Sequence, residues 1–306
     1  MKSVIYDVCV IGHITKDIIR IGNIRKELPG GSAYYVSIAL KSLGLKPFVV
    51  TRLHKNDKYL LEDLKKNDIT VFLGKSERTT IFENIYKGDL RIQRVMSVAS
   101  PFTIKDLPDI TPRIFYIGSL TRGDIPTDML DFLREYKIAL DVQGFLRKID
   151  GNIVKMEDWE DKEVLSYVDI LHADEMEAKI LSGEGDIKKA AKKLSQFGPK
   201  EVVITLGKSG SLIYAKEELF SIPSFETSIV DPTGCGDTYM AGYIYKRLTS
   251  EDFYKIGKFS SAIASLKLKR FGTFTGNEKD VKTLILAKVR SPLRQSPARV
   301  SQKQHV

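Results

Sequence analysis

Asp231-Pro232-Thr233-Gly234-Cys235-Gly236-Asp237 puts a carboxylate at each end of a segment whose two glycines flank one small residue. A helix-period run follows from about Thr238 to Leu248, with Met240, Ile244 and Leu248 apolar. Glycines in such a turn let backbone N–H groups converge on one point with no side chain in the way. The helix start adds unpaired N–H groups and the positive end of its dipole. This suits anion binding, above all a phosphoryl group whose charge changes during transfer. Asp237 stands beside that point, where a carboxylate can take the proton of an attacking hydroxyl. Gly-x-Gly-Asp before a helix is also an ordinary cap, so the segment alone leaves both readings open.

Such a turn needs a frame. Short β-branched runs recur with helix-period segments between them, the pattern of a parallel sheet covered by helices, so the fold class is α/β. Candidate strands are Val4 to Gly12, Pro47 to Arg52, Arg113 to Gly118, Lys137 to Val142, Val168 to Leu171 and Glu201 to Leu206. Several are near-continuous apolar runs, as strands buried on both faces are. Ser32 to Leu43, closed by Gly44, and Ile187 to Phe197, stopped by Gly198-Pro199, have the helical period. Ile18 to Leu28 and Thr79 to Val98 break the alternation. They are rich in Ile, Tyr, Val and Arg around the turns Gly22-Asn23 and Gly88-Asp89, and predict hairpin-like strands. These are expected to form a small antiparallel lid over one end of the main domain, with plain surface hairpins as the alternative. Residues 1–287 are expected to form the domain, and 288–306 a basic, disordered tail.

The net charge is +9, and five of the basic residues lie between Lys288 and Val306, where there is no acidic one. The body therefore carries only a modest excess, which argues against nucleic acid as a partner and leaves anionic small molecules open. Two cysteines and four scattered histidines supply neither a zinc site nor a disulfide framework, and point to a reducing, cytoplasmic setting. No apolar run is long enough to span a membrane. Gly74-Lys75-Ser76 and Gly207-Lys208-Ser209 imitate a P-loop, but Ile69 and Val202 occupy the positions of its first glycine. Gly12-His13-Ile14 lacks the second glycine of a dinucleotide fingerprint. Asp141 to Arg147 follows a strand, where Gln143 or Arg147 can reach a ligand or simply lie on a solvated loop.

A second glycine pair, Gly30-Gly31, opens the helix Ser32 to Leu43 directly after the first lid insertion, and Thr205-Leu206-Gly207-Lys208-Ser209-Gly210 follows a strand. With the Asp231 to Asp237 segment, this arrangement resembles the ribokinase family of carbohydrate kinases, also called the PfkB family, from about Val4 to Gly276. The resemblance implies a doubly wound domain with a β-sheet lid and transfer of the γ-phosphoryl of ATP, with Mg2+, to a hydroxyl. It assigns Asp237 as catalytic base and Gly234, Cys235 and Gly236 as the backbone anion hole. Asp17, Gly30, Gly31 and Tyr35 fall at substrate positions. Asp174, Thr205, Gly207 and Gly210 border the nucleotide, and Glu177 acts on magnesium through water. Family members often hold a monovalent cation such as K+ beside the anion hole, here at Asp231 and Thr233. In some relatives the lids of two chains pair into a homodimer.

Three departures stand out. Tyr35 replaces an Asn that contacts substrate, which predicts a different sugar preference. Asp174 replaces Asn in the acidic motif and adds a charge near the phosphates. Cys235 replaces Ala and is either a reactive thiol at a helix start or a small buried filler. The expected function is an ATP-dependent sugar or cyclitol kinase, with a nucleoside kinase or a catalytically silent sugar or nucleotide sensor as alternatives.

Overall fold

Side chains of the strand Val8–Ile11 alternate between two cores, Val8 and Val10 in one, Cys9 and Ile11 in the other. A strand with no polar face must be covered on both sides, and that requirement organises the molecule. The computed structural model, which describes residues 5–87 and 90–290, sets this strand inside a nine-stranded sheet. The order across it is Glu218–Ile222, Ser211–Ala215, Glu201–Thr205, Ile170–Asp174, Ile138–Asp141, Ile114–Gly118, Val8–Ile11, Pro47–Leu53, Thr70–Lys75. Pairing is parallel from Glu201–Thr205 onward and antiparallel at the opposite edge. Helices Ser32–Ser42, Cys235–Arg247 and Phe253–Leu268 cover one face. Thr127–Phe132, Glu175–Ser182 and Ile187–Ser195 cover the other. The fold is the expected doubly wound α/β, and all six predicted strands are present. The edge strands were not foreseen because they are only half buried: Thr70–Lys75 alternates between exposed and partly buried residues instead of forming an apolar run.

The lid is a second sheet of six strands, in the order Arg147–Asp150, Ile153–Met156, Leu90–Ser97, Ile81–Lys87, Thr15–Ile21, Ile24–Gly30. Phe82 and Val95 of the lid pack against Leu120 of the main domain. The first insertion folds as predicted about the Gly22-Asn23 turn, although its strands reach further, to Thr15 and Gly30. Gly88-Asp89 lies outside the described residues. The structure differs from expectation in three ways. Thr15–Ile21 pairs in parallel with Ile81–Lys87, so the sheet is not wholly antiparallel. A third hairpin, Arg147–Asp150 with Ile153–Met156, extends the lid where the sequence left a loop open; its four-residue strands are too short to show a period. At the chain's end the helix Glu278–Arg290 runs past residue 287, the expected domain boundary, and the rest of the tail lies outside the described residues. Among the described residues no helix is long and apolar enough to cross a membrane.

Candidate active site

Gly234 adopts φ 71°, and a Cβ there would meet the Tyr35 ring at 2.3 Å, so only glycine fits this turn. The helix begins at Cys235, three residues earlier than the periodicity predicts, which places Asp237 in its first turn. No side chain caps this start. The Asp237 carboxylate turns instead to the other glycine-marked helix, accepting a hydrogen bond from Ser32 Oγ at 2.5 Å. The cap reading of Gly-x-Gly-Asp therefore does not hold. Burial pushes the Cys235 thiol up to about 11, so it remains a thiol and serves as a small filler next to Ala264.

Behind Asp237 a buried polar chain crosses the ends of the central strands. Ser32 Oγ lies 3.0 Å from the Tyr116 hydroxyl, which donates to Asp141 Oδ2 at 3.5 Å. Asp141 Oδ2 is 2.9 Å from His172 Nδ1, and the other ring nitrogen of His172 is 3.4 Å from Thr205 Oγ1. Burial alone would drive His172 neutral, but the Asp141 charge outweighs it and raises its pKa. Burial also opposes the Asp141 charge, and the imidazolium and Gln143 N–H overcome it, holding that carboxyl low. The two shifts agree on one ion pair. Asp237 moves the other way: burial, then the Asp141 charge, push it up to about 6 against the Ser32 hydrogen bond.

Two cavities meet at this helix start. The first, about 270 Å3, is polar and lies under the lid, which contributes Thr15, Asp17, Phe82, Gln93 and Arg147. The main domain contributes Gly31, Tyr35, Asp141, His172, Asp174, Glu177, Thr233 and the Gly234 to Asp237 turn. The second, about 460 Å3, is walled by Phe225, Ile229, Tyr239, Ala264 and Leu268 and floored by Gly207 and Gly210. Thr205, Pro232, Cys235 and Gly236 border both. The structure thus gathers nearly all the predicted site residues at one junction. Asp17 belongs to the lid strand Thr15–Ile21 and not to the end of the first strand, with its carboxylate accepting from Thr15 Oγ1 at 2.7 Å and standing against Gly30. On the Leu90–Ser97 strand Gln93 faces the cavity and Arg94 is exposed.

Asp174 caps the helix Glu175–Ser182. Its Oδ1 accepts from Glu177 N–H, and Glu177 Oε2 accepts from Asp174 N–H, both at 2.8 Å. Asp and Asn are equally good caps, which accounts for the replacement. Burial, together with Asp141 and Asp174, pushes Glu177 up to about 7. Among the described residues no group of three or more His, Cys, Asp or Glu is placed to hold a metal. One or two cavity-lining carboxylates suit Mg2+, which keeps most of its waters and binds chiefly through substrate phosphates. Asp231 lines neither cavity. Its Oδ1 accepts from Thr233 N–H at 3.0 Å, and its Oδ2 and carbonyl both contact the Lys267 ammonium. Ser32, Tyr116, Asp141, His172 and Lys267 were not foreseen as site residues. Ser32 is adjacent to a glycine pair and His172 lies two strand positions before Asp174, hence on the same face, and those were the available signals.

Residues 6–280 match the sequence model of the pfkB family of carbohydrate kinases, and the chain belongs to that family; it is a phosphotransferase enzyme. Among its relatives is a cytidine kinase of Thermococcus kodakarensis, 29% identical over 78% of this chain and 87% of that protein. An inositol 3-kinase of Arabidopsis thaliana is 25% identical over 84% of this chain and 73% of that protein. A solved pyrophosphate-dependent kinase in the ribokinase family, complexed with a pyrophosphate analog and myo-inositol, superposes with a TM-score of 0.82. It is 29% identical, covering 90% of this chain and 99% of that one.

Proposed function

We propose that this enzyme transfers the γ-phosphoryl of ATP to a hydroxyl of a single polyhydroxylated ring, a cyclitol such as myo-inositol or a sugar. The observation that carries this reading is the junction itself: a polar cavity and an apolar one open onto the same uncapped helix start. The acceptor lies under the lid against Asp17. The adenine fits among Phe225, Tyr239 and Leu268, with the nucleotide running past Thr205, Gly207 and Gly210. Asp237 takes the proton of the acceptor hydroxyl as its oxygen attacks the γ-phosphorus and ADP leaves. The Gly234, Cys235 and Gly236 backbone receives the charge on the moving group. Glu177, with Asp174 beside it, would hold magnesium through water, and bound magnesium would neutralise phosphate charge.

The nucleoside alternative needs an aromatic face to take a base. Tyr35 and Phe82 both line the polar cavity, but the Tyr35 ring is packed against Gly234, which leaves it poorly placed to stack a base and favours a small polyol. A second reading, pyrophosphate as donor, draws on the similarity to the pyrophosphate-dependent kinase. The open apolar cavity favours a nucleotide, since pyrophosphate has no apolar part to place there. The test is a panel of ATP or pyrophosphate with myo-inositol, fructose, ribose or cytidine, in the presence of Mg2+, with the phosphorylated product quantified. ATP with a cyclitol or sugar should give the highest kcat/KM. Phosphorylation confined to cytidine, or to pyrophosphate as donor, overturns the proposal.

A further inference from the structure

Lysine is almost never fully buried unless its ammonium is paired, and Lys267 has 1% of its surface exposed. It leaves the last turn of the helix Phe253–Leu268, where the dipole favours a cation. Its Nζ donates to the main-chain carbonyl of Asp231 at 2.7 Å and lies 3.1 Å from Oδ2 of the same residue. The Tyr35 ring closes a third side, with its centroid 5.8 Å from Nζ. Asp231 is held from other directions too: Oδ1 accepts from Thr233 N–H at 3.0 Å and Oδ2 from Gly272 N–H at 3.1 Å. The same Tyr35 ring is what Gly234 packs against. One buried charge thus ties the end of one helix and the helix Ser32–Ser42, through Tyr35, to the turn that opens the anion cradle.

The family resemblance implies a monovalent cation at Asp231 and Thr233. A cation there would need oxygen ligands, and the Asp231 carbonyl and carboxylate already hold an ammonium. A second cation against Lys267 would set two like charges together in a site removed from water, where repulsion is strongest. The residues present do not fit a potassium ion.

We propose that the Lys267 ammonium is a tethered replacement for that cation, a positioning residue that holds the Asp231 to Gly234 turn and frees the enzyme from any potassium requirement. Unlike a diffusible ion, it cannot be lost when the salt composition changes. Its effect on turnover rests on the phosphotransfer reading above; its effect on cation binding rests on the contacts alone.

Two measurements separate these. In thermal melts at matched ionic strength, the wild type should unfold at the same temperature in KCl and choline chloride, whatever reaction it catalyses. Its kcat should agree within about twofold between the two salts. Lys267→Met should lower kcat on the order of 100-fold, the cost of losing positioned stabilisation at an anion hole. KCl or NH4Cl should then restore a substantial part of that rate and raise the variant's melting temperature over choline chloride. A saturable rise in wild-type melting temperature or rate with potassium overturns the proposal, as does a folded Lys267→Met that turns over at the wild-type rate in choline chloride. If that variant does not fold, the wild-type salt comparison still decides. Absence of phosphotransfer with a flat potassium melt would count against the proposed function and leave the ammonium assignment standing.

Discussion

The two cavities that meet at Gly236 are built by opposite means. The polar one draws its walls from the lid and from the ends of several central strands, and concentrates Asp17, Asp141, Asp174, Glu177 and Asp237 against Arg147 and His172. The apolar one is walled almost entirely by residues 205–239 and 261–268 and presents ring and aliphatic surface. Hydrogen-bonding groups that would go unpaired reject a wrong polyol steeply, whereas an apolar slot selects mainly by shape. Selectivity among acceptors should therefore exceed selectivity among nucleotide donors.

The largest perturbation expected on the polar side is Asp237→Asn. It should lower kcat roughly 1000-fold, within the range for loss of a general base, while ATP affinity measured by calorimetry changes less than twofold. Stability should move the other way. Because burial raises the Asp237 pKa to about 6, the folded protein holds this proton more tightly than the unfolded chain. The resulting contribution favours folding at low pH and is lost as pH rises through about 6. Asn avoids the buried charge, so at pH 8 the variant should gain about 3 kcal/mol, and only about 0.5 kcal/mol at pH 4. Denaturant titrations at the two pH values check this, and equal gains at both would contradict the assignment.

On the apolar side, Ala264→Phe fills the cavity beside Tyr239 and should raise KM for ATP roughly 10 to 100-fold. The acceptor KM should stay within about twofold. If both constants rise together, the division of labour between the cavities is wrong. A smaller effect is expected for Ser32→Ala, which removes the donor to Asp237. The rate should drop about 10-fold, and the acid limb of the pH profile should move up from about 6, because that hydrogen bond favours the carboxylate. An unmoved limb would show that Ser32 does not set the base. Smallest of all, Asp174→Ala removes a helix cap and should cost about 1 kcal/mol in urea unfolding.

How much of this was legible in the sequence differs between the same two regions. Buried strands such as Ile114–Gly118 and most of Glu201–Thr205 announce themselves as apolar runs, and the glycine-marked helix starts are local signals, so the frame and the turn at Gly234 could be read directly. What could not be read were side chains meeting across long stretches of chain. Ser32 and Asp237 are 205 residues apart, and Asp231 and Lys267 are 36 apart. Nothing in either residue's own neighbourhood marks the contact. The third lid hairpin escaped for another reason: its strands are four residues each and pair with the second insertion only after the chain has folded back.

That hairpin carries a mechanical implication. Arg147 both lines the polar cavity and begins the strand Arg147–Asp150, whose partner strand joins the sheet through Ile153 and Arg94. The guanidinium therefore rides on the cover itself. Under the proposed function, any rocking of that cover against the main sheet would transport a positive charge toward or away from the reacting groups, so that opening to admit the acceptor and electrostatic readiness for transfer would become one movement.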